Sequence, residues 1–221
     1  AQRHFQISLQ HAKEARHGRQ IGWSYIWLFR TFAELGPADR AAGMLAEVRS
    51  AVTRAGDTHL SAYMHDSIAL MEASAGRILE ARRHLRIGAS MLERFPNAWL
   101  QQRLFLSRSF LDFLDCRYED ALRNLRHARE LCDLAGAGLL PIIECNEAHA
   151  LTITGNFASA ERRLRKVAES DSPQIALGAL EGLARLYLVT ERLSECEKTL
   201  ADCASLAADL KISFAFAGRW S

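Results

Sequence analysis

The stretch Gly76-Arg77-Ile78-Leu79-Glu80-Ala81-Arg82-Arg83-His84-Leu85-Arg86-Ile87-Gly88 holds a helix stop and the inner face of the helix that follows. Gly76 reaches the backbone angles that end a helix without a steric cost. Ile78, Ala81, Leu85 and Gly88 then recur at helical spacing and share one face. Ala81 is small enough to let a neighbouring helix come close.

The same pattern returns along the chain. With Ala81 as reference, the equivalent positions are Ala41, Ala121, Ala160 and Cys196, at intervals of 40, 40, 39 and 36 residues. Five residues before the reference stand Gly36, Gly76, Cys116, Gly155 and Glu191, and three before it stand Ala38, Ile78, Tyr118, Phe157 and Leu193. Four after it stand Leu45, Leu85, Leu125, Leu164 and Leu200; seven after it stand Val48, Gly88, Ala128, Val167 and Cys203. Twelve before it stand Phe29, Ala69, Ser109, Ala148 and Ala184, on a partner helix upstream. A hairpin of two helices per period follows, and one hairpin cannot bury its apolar face alone, so neighbours stack.

The fold expected is all-α: a right-handed superhelical solenoid of stacked antiparallel helix hairpins, with about 11 helices over residues 1–221 as one domain. The repeats fall at about 20–56, 57–96, 97–137, 138–170 and 171–210, with partial repeats at both ends. Residues 1 to about 17 read as a second helix that stops at His17-Gly18. The next hairpin turns at Gly36-Pro37, where a proline suits a helix start. Asn97 reads as a cap, and Ser170-Asp171-Ser172-Pro173 as a helix-start signal. Ile212 to Trp220 resembles the opening of a further first helix. With no initiator Met, the chain is expected to be a piece of a longer helical array.

Bulk properties bound the function. Hydrophobic residues are 49% and charged residues 24%, with only four prolines, which suits a folded helical chain. The net charge of +2 is too close to neutral to imply nucleic acid by itself. Cys116, Cys132, Cys145, Cys196 and Cys203 are odd in number and form no C-x-x-C pair; Cys196 and Cys203 occupy the small-residue positions of their repeat and read as small buried residues in a reducing compartment. No stretch is apolar enough to span a membrane, so the cytoplasm is the expected location.

The stretches Gly76-x-Ile78-x-x-Ala81, Cys116-x-Tyr118-x-x-Ala121 and Gly155-x-Phe157-x-x-Ala160 resemble the turn and second helix of the tetratricopeptide repeat. The resemblance covers nearly the whole chain, with a period near 40 rather than that family's 34. That family's aromatic late in the first helix is matched by Phe32 and Tyr187, whereas Glu72 and Asp112 replace it. In texture the chain is also similar to the helical-repeat sensor of large bacterial transcriptional regulators of the maltose-activator type. The resemblance implies a sensor or docking part, with DNA contacted through domains outside this sequence.

No phosphate loop of the form G-x-x-x-x-G-K-[ST], no G-x-G-x-x-G and no H-E-x-x-H is present. Glu144, Glu147 and His149 lie close on one helix beside Cys145, but a polar groove edge and an inert thiol are the stronger reading. No catalytic residue, metal ligand or cofactor is assigned, and the chain is expected not to be an enzyme. From the family resemblance, the positions 18, 15 and 11 before each reference residue face the groove. The groove candidates are Trp23, Arg30, Tyr63, Asp66, Arg103, Phe110, His149, Glu181 and Arg185. Aromatic and arginine residues are the usual anchors of interfaces, although roughly half of these are expected to pack inside their own hairpin. The partner expected is a protein or peptide segment, or a small effector. Alternatives are nucleic-acid binding through Arg82, Arg83, Arg86, Arg123, Arg126, Arg129, Arg162, Arg163 and Arg165 on the second helices, an assembly scaffold, and a homodimer through the array ends.

Overall fold

The computed structural model describes residues 2–35 and 38–209. The turn expected at Gly36-Pro37 and the helix expected at Ile212 to Trp220 lie outside them. The described residues are all-helical, with no strand and twelve α-helices. In chain order these are α1 (Gln2–Glu14), α2 (Gly18–Leu35), α3 (Ala38–Ala55), α4 (Thr58–Ser74), α5 (Ile78–Arg94) and α6 (Ala98–Leu114). They continue with α7 (Tyr118–Glu130), α8 (Cys132–Ala135), α9 (Leu140–Ile153), α10 (Phe157–Ala168), α11 (Pro173–Val189) and α12 (Leu193–Asp209). A 3-10 turn, Ala137–Leu139, leads into α9. The twelfth helix is the one-turn α8, separated from α7 at Leu131.

The helix stops are built alike. Gly76, Cys116, Gly155 and Glu191 all have positive φ, at 75°, 56°, 82° and 58°. In each case the following residue donates its N–H back across the turn: Arg77 to Glu72 O, Arg117 to Asp112 O, Asn156 to Leu151 O and Arg192 to Tyr187 O, at 2.8–2.9 Å. A second bond runs from the positive-φ residue itself, as from Gly76 N to Ala73 O at 2.9 Å. This pair of bonds satisfies carbonyls that the helix end leaves open. The next helix starts at once, because Ala81, Ala121, Ala160 and Cys196 donate to the carbonyls of Arg77, Arg117, Asn156 and Arg192. With so short a connection, α4 and α5, α9 and α10, and α11 and α12 pack as antiparallel pairs.

Side chains cap several helix starts. Asp57 accepts from Leu60 N and Asn97 from Leu100 N, both at 3.0 Å. At the first stop the roles differ from the sequence expectation. Arg16 takes the positive φ of 53°, and His17 caps the start of α2, its Nδ1 accepting from Gln20 N at 3.2 Å.

The chain divides into two compact units, residues 1–111 and 112–221, and the division falls within α6. A boundary inside a helix leaves no proline- or glycine-rich linker to read. In the first unit α1 packs on α2, α2 on α3, α4 on α5, and α4 also meets α2 and α3. Its core contains Ile26, Phe29, Val48, Leu60, Tyr63, Ile68, Leu85 and Leu111. In the second unit α9 packs on α7, α10 and α11, and α11 on α10 and α12, around Ala148, Ala160, Leu164, Ala179, Leu186 and Tyr187.

Small residues mark where helices cross. Ala41, Ala81, Ala121 and Ala160 are fully buried and Cys196 is nearly so. The positions twelve earlier, Phe29, Ala69, Ser109, Ala148 and Ala184, are buried as well. Leucine at the next turn is less uniform. Leu85, Leu125 and Leu164 are buried, Leu45 is half-buried, and Leu200 in α12 is 47% exposed. In α12 the buried face is instead Cys196, Thr199, Cys203 and Ala207. Phe157 and Leu193, three before the reference residue, are exposed too.

Candidate functional site

Five of the nine groove candidates meet in the first unit. Trp23 and Arg30 stand on α2, Tyr63 and Asp66 on α4, and Arg103 on α6. Arg30 Nη1 donates to Asp66 Oδ2 at 2.9 Å, and Ser107 Oγ donates to Asp66 Oδ1 at 2.5 Å. Arg103 Nε stands 3.7 Å from the same Oδ2, too far for a hydrogen bond. One carboxylate therefore faces two guanidinium groups.

Aromatic rings enclose these charges. Trp23, Trp27 and Trp99 each approach Tyr63 with ring centroids 5.4 Å apart in tilted arrangements. Phe5 stacks on Trp27 at 5.8 Å. The Arg30 guanidinium carbon lies 5.5 Å from the Tyr63 centroid, and that of Arg103 lies 5.4 Å from Tyr63 and 5.5 Å from Trp99. A guanidinium stacked on a ring face gains from the ring quadrupole, more so where water is excluded.

Burial separates the floor of this cluster from its rim. Tyr63 is fully buried, Asp66 is 1% exposed and Arg30 is 6% exposed. These three cannot meet a ligand directly, a correction to the sequence reading. Tyr63 is the ring on which the others pack, and Asp66 is consumed by Arg30 and Ser107. Trp23, Trp99 and Arg103 are only partly buried and form the rim. Phe110 is partly buried and packs against the core of this unit.

Trp27, Trp99 and Ser107 are absent from the sequence candidates. A signal was available. Trp27 follows Trp23 by four, Trp99 precedes Arg103 by four and Ser107 follows it by four, so each shares a helical face with a named candidate.

His149, Glu181 and Arg185 lie in the second unit. His149 sits between α9 and α11, its Cε1 3.0 Å from where a Cβ on Gly182 would stand. Burial, and then Arg185, push its pKa down to about 4. Glu181 is raised by burial, with Arg185 opposing. Cys145 is pushed up to about 12 by burial and by Glu181, so it is no thiolate nucleophile at neutral pH.

Glu144 and Glu147 are taken up by cations. Arg129 Nη2 and Arg163 Nη1 reach Glu147 Oε2 at 2.5 and 2.6 Å, and Lys166 Nζ reaches Glu144 Oε1 at 3.2 Å. Several arginines of the second helices are engaged in the same way: Arg83 with Glu80, Arg123 with Asp120, and Arg165 with Glu161. Among the described residues, no group of three or more His, Cys, Asp or Glu side chains could hold a metal ion. No helix among them is long and apolar enough to cross a membrane. No protein-family model matches the chain, and no curated protein matches it.

Proposed function

We propose that this chain is a non-enzymatic docking module of a bacterial cytoplasmic regulatory protein, a regulator of transcription. In this reading its hairpins form a right-handed superhelical array of the tetratricopeptide kind. The first helices carry the docking wall, and a protein segment or small effector binds there. The observation that carries the proposal is the rim of Trp23, Trp99 and Arg103 over the buried Tyr63 and Asp66. Partly exposed indoles beside a guanidinium are what interface anchors are made of. Because Tyr63 and Asp66 fix that guanidinium from beneath, little ordering is left to do on binding. The ion pairs of Arg129, Arg163 and Arg165 weigh against nucleic acid as the ligand of the second helices.

The test is partner recovery by the intact chain, compared with Arg103→Glu and Trp23→Ala in the rim and Arg86→Glu on α5 as a control. Circular dichroism checks that each variant is folded. The rim variants lose the partner and the control keeps it. Equal recovery by all four proteins overturns the assignment of this wall.

A further inference from the structure

The second unit holds two opposite charges that do not pair. Glu181 and Arg185 stand four residues apart on α11, glutamate first, the spacing at which a helix joins such a pair. They make no ion pair with each other, and neither side chain has a hydrogen-bond partner among the described residues. Both are partly buried. Burial pushes the Glu181 carboxyl up, and Arg185 opposes it as a charge at a distance, not through a hydrogen bond. A half-desolvated charge without a partner is costly, and a ligand of complementary charge relieves that cost.

The face these two share is open. Gly178, Glu181 and Arg185 fall at i, i+3 and i+7 and lie on one side of α11. A Cβ on Gly178 would meet nothing within 4 Å among the described residues, so there is room for a molecule at that turn. Helix α9, which packs on α11, carries the exposed Ile142 and, seven residues later on the same side, His149. The His149 ring rests on α11 at Gly182, its Cε1 3.0 Å from where a Cβ there would stand. It therefore touches α11 within the turn that carries both charges. Burial and Arg185 push His149 down to about 4, so near neutral pH it offers hydrogen-bonding nitrogens without a charge. The thiols of Cys145 and Cys203, both near Glu181, are pushed up to about 12 and about 11 and add no charge either. One anion and one cation remain, a helical turn apart, with an apolar side chain on the neighbouring helix.

We propose that this face of α11 binds a small apolar α-amino acid, its ammonium on Glu181, its carboxylate on Arg185 and its side chain toward Ile142. The guanidinium fork suits a planar carboxylate. The small effector of the docking reading, on which this rests, is then a zwitterion held by α9 and α11.

The test is isothermal titration calorimetry of the whole chain with L-leucine, with leucinamide, which lacks the carboxylate, and with 4-methylpentanoate, which lacks the ammonium. L-Leucine gives a saturable isotherm and binds about tenfold more tightly than either analogue, the scale of one charge-assisted contact. Arg185→Gln removes the preference over leucinamide, and Glu181→Gln removes the preference over 4-methylpentanoate. Gly178→Leu fills the open turn and abolishes binding, while circular dichroism shows it folded. Arg86→Gln on α5 leaves all the affinities unchanged. The comparison of the compounds needs no variant, so it stands even where a variant fails to fold. Equal affinities for leucine and its analogues overturn the assignment, and so does the absence of a saturable isotherm with leucine. Partner recovery by the rim variants decides the docking reading separately.

Discussion

The guanidinium carbon of Arg192 lies 4.4 Å from the centroid of the Tyr187 ring. The two residues are five apart and their backbones are joined, Arg192 N donating to Tyr187 O at 2.8 Å. The same offset across the same turn brings Arg77 to Glu72 and Arg117 to Asp112. The turn geometry thus returns residue i+5 over residue i, and an arginine there finds either a ring or a carboxylate. At Phe32 the stacking arginine is Arg40, at 5.8 Å. Glu72 and Asp112 are therefore chemical substitutes for an aromatic, because either surface holds an arginine.

Tyr187 tests this relationship. Its ring is 3% exposed, and its hydroxyl is 3.2 Å from Glu161 Oε1. Arg192 first, with Arg165 and Tyr187, holds Glu161 down to about 2. Tyr187→Phe keeps the ring under Arg192 and loses one hydrogen bond, a cost of about 1 kcal/mol. Tyr187→Ala removes the platform and leaves a cavity, a cost of roughly 3–5 kcal/mol. Urea unfolding measures both, and equal losses would show that the ring is not the element that matters.

The stops at Cys116 and Glu191 hold ordinary side chains at positive φ, where Gly76 and Gly155 stand in the equivalent turns. Such a conformation costs a non-glycine residue roughly 1–2 kcal/mol. Glu191→Gly is accordingly stabilising by up to about 1 kcal/mol after the extra chain entropy of glycine is subtracted. Gly155→Ala is destabilising by a similar amount. Thermal unfolding of the two variants checks the opposite signs, and a loss in both would mean that the Glu191 side chain contributes more than its backbone strain costs.

The periodicity around Ala81 made the helices and their stops legible, because small residues and positive-φ positions are local demands on the backbone. The division within α6 was not legible, since a boundary inside a helix changes no composition. Leu200 was misread for a related reason: spacing tells which residues share a face, and α12 buries Cys196, Thr199 and Cys203 while leaving Leu200 exposed. The positions 18, 15 and 11 before the reference residues include Trp23 and Arg103, which the structure leaves partly exposed. They also put Tyr63 and Asp66 on the surface, because spacing says which face a residue is on and not how deep its neighbours bury it.

Helix crossing depth gives a matched pair of glycine predictions. A Cβ on Gly88 would stand 3.2 Å from Ala62 O, a backbone atom of α4 that has little room to give. A Cβ on Gly43, within α3, would meet nothing within 4 Å. Gly88→Val is expected to destabilise by roughly 1–3 kcal/mol through overpacking. Gly43→Ala is expected to stabilise by about 0.5–1 kcal/mol through helix propensity alone. Chemical denaturation separates them, and a neutral Gly88→Val would mean that α4 and α5 slide apart at small cost.

Acid sensitivity follows from three histidines. His65 Nδ1 and His84 Nδ1 are 2.8 Å apart, a bond in which one ring donates and the other accepts. A second proton makes both nitrogens donors and breaks it. Burial pushes His65 down to about 4, with the charges of His84 and Arg49 adding to it. His84 is lowered by burial and then by Arg49, with Arg83 adding a smaller push, while Glu72 and Glu80 pull the other way. His149 is pushed down to about 4 by burial and Arg185. An unfolded histidine takes its proton near pH 6.5, whereas folded His65 and His149 resist until near pH 4 and His84 is shifted in the same direction, so the unfolded chain binds more protons in between. The stability they supply is complete above about pH 6.5 and drains away as the pH falls toward about 4. The urea midpoint therefore drops between pH 7 and pH 5, and His149→Leu or His65→Gln shallows that drop. A midpoint that stays level over this range in the wild-type chain would show that these rings are protonated in the folded state without penalty.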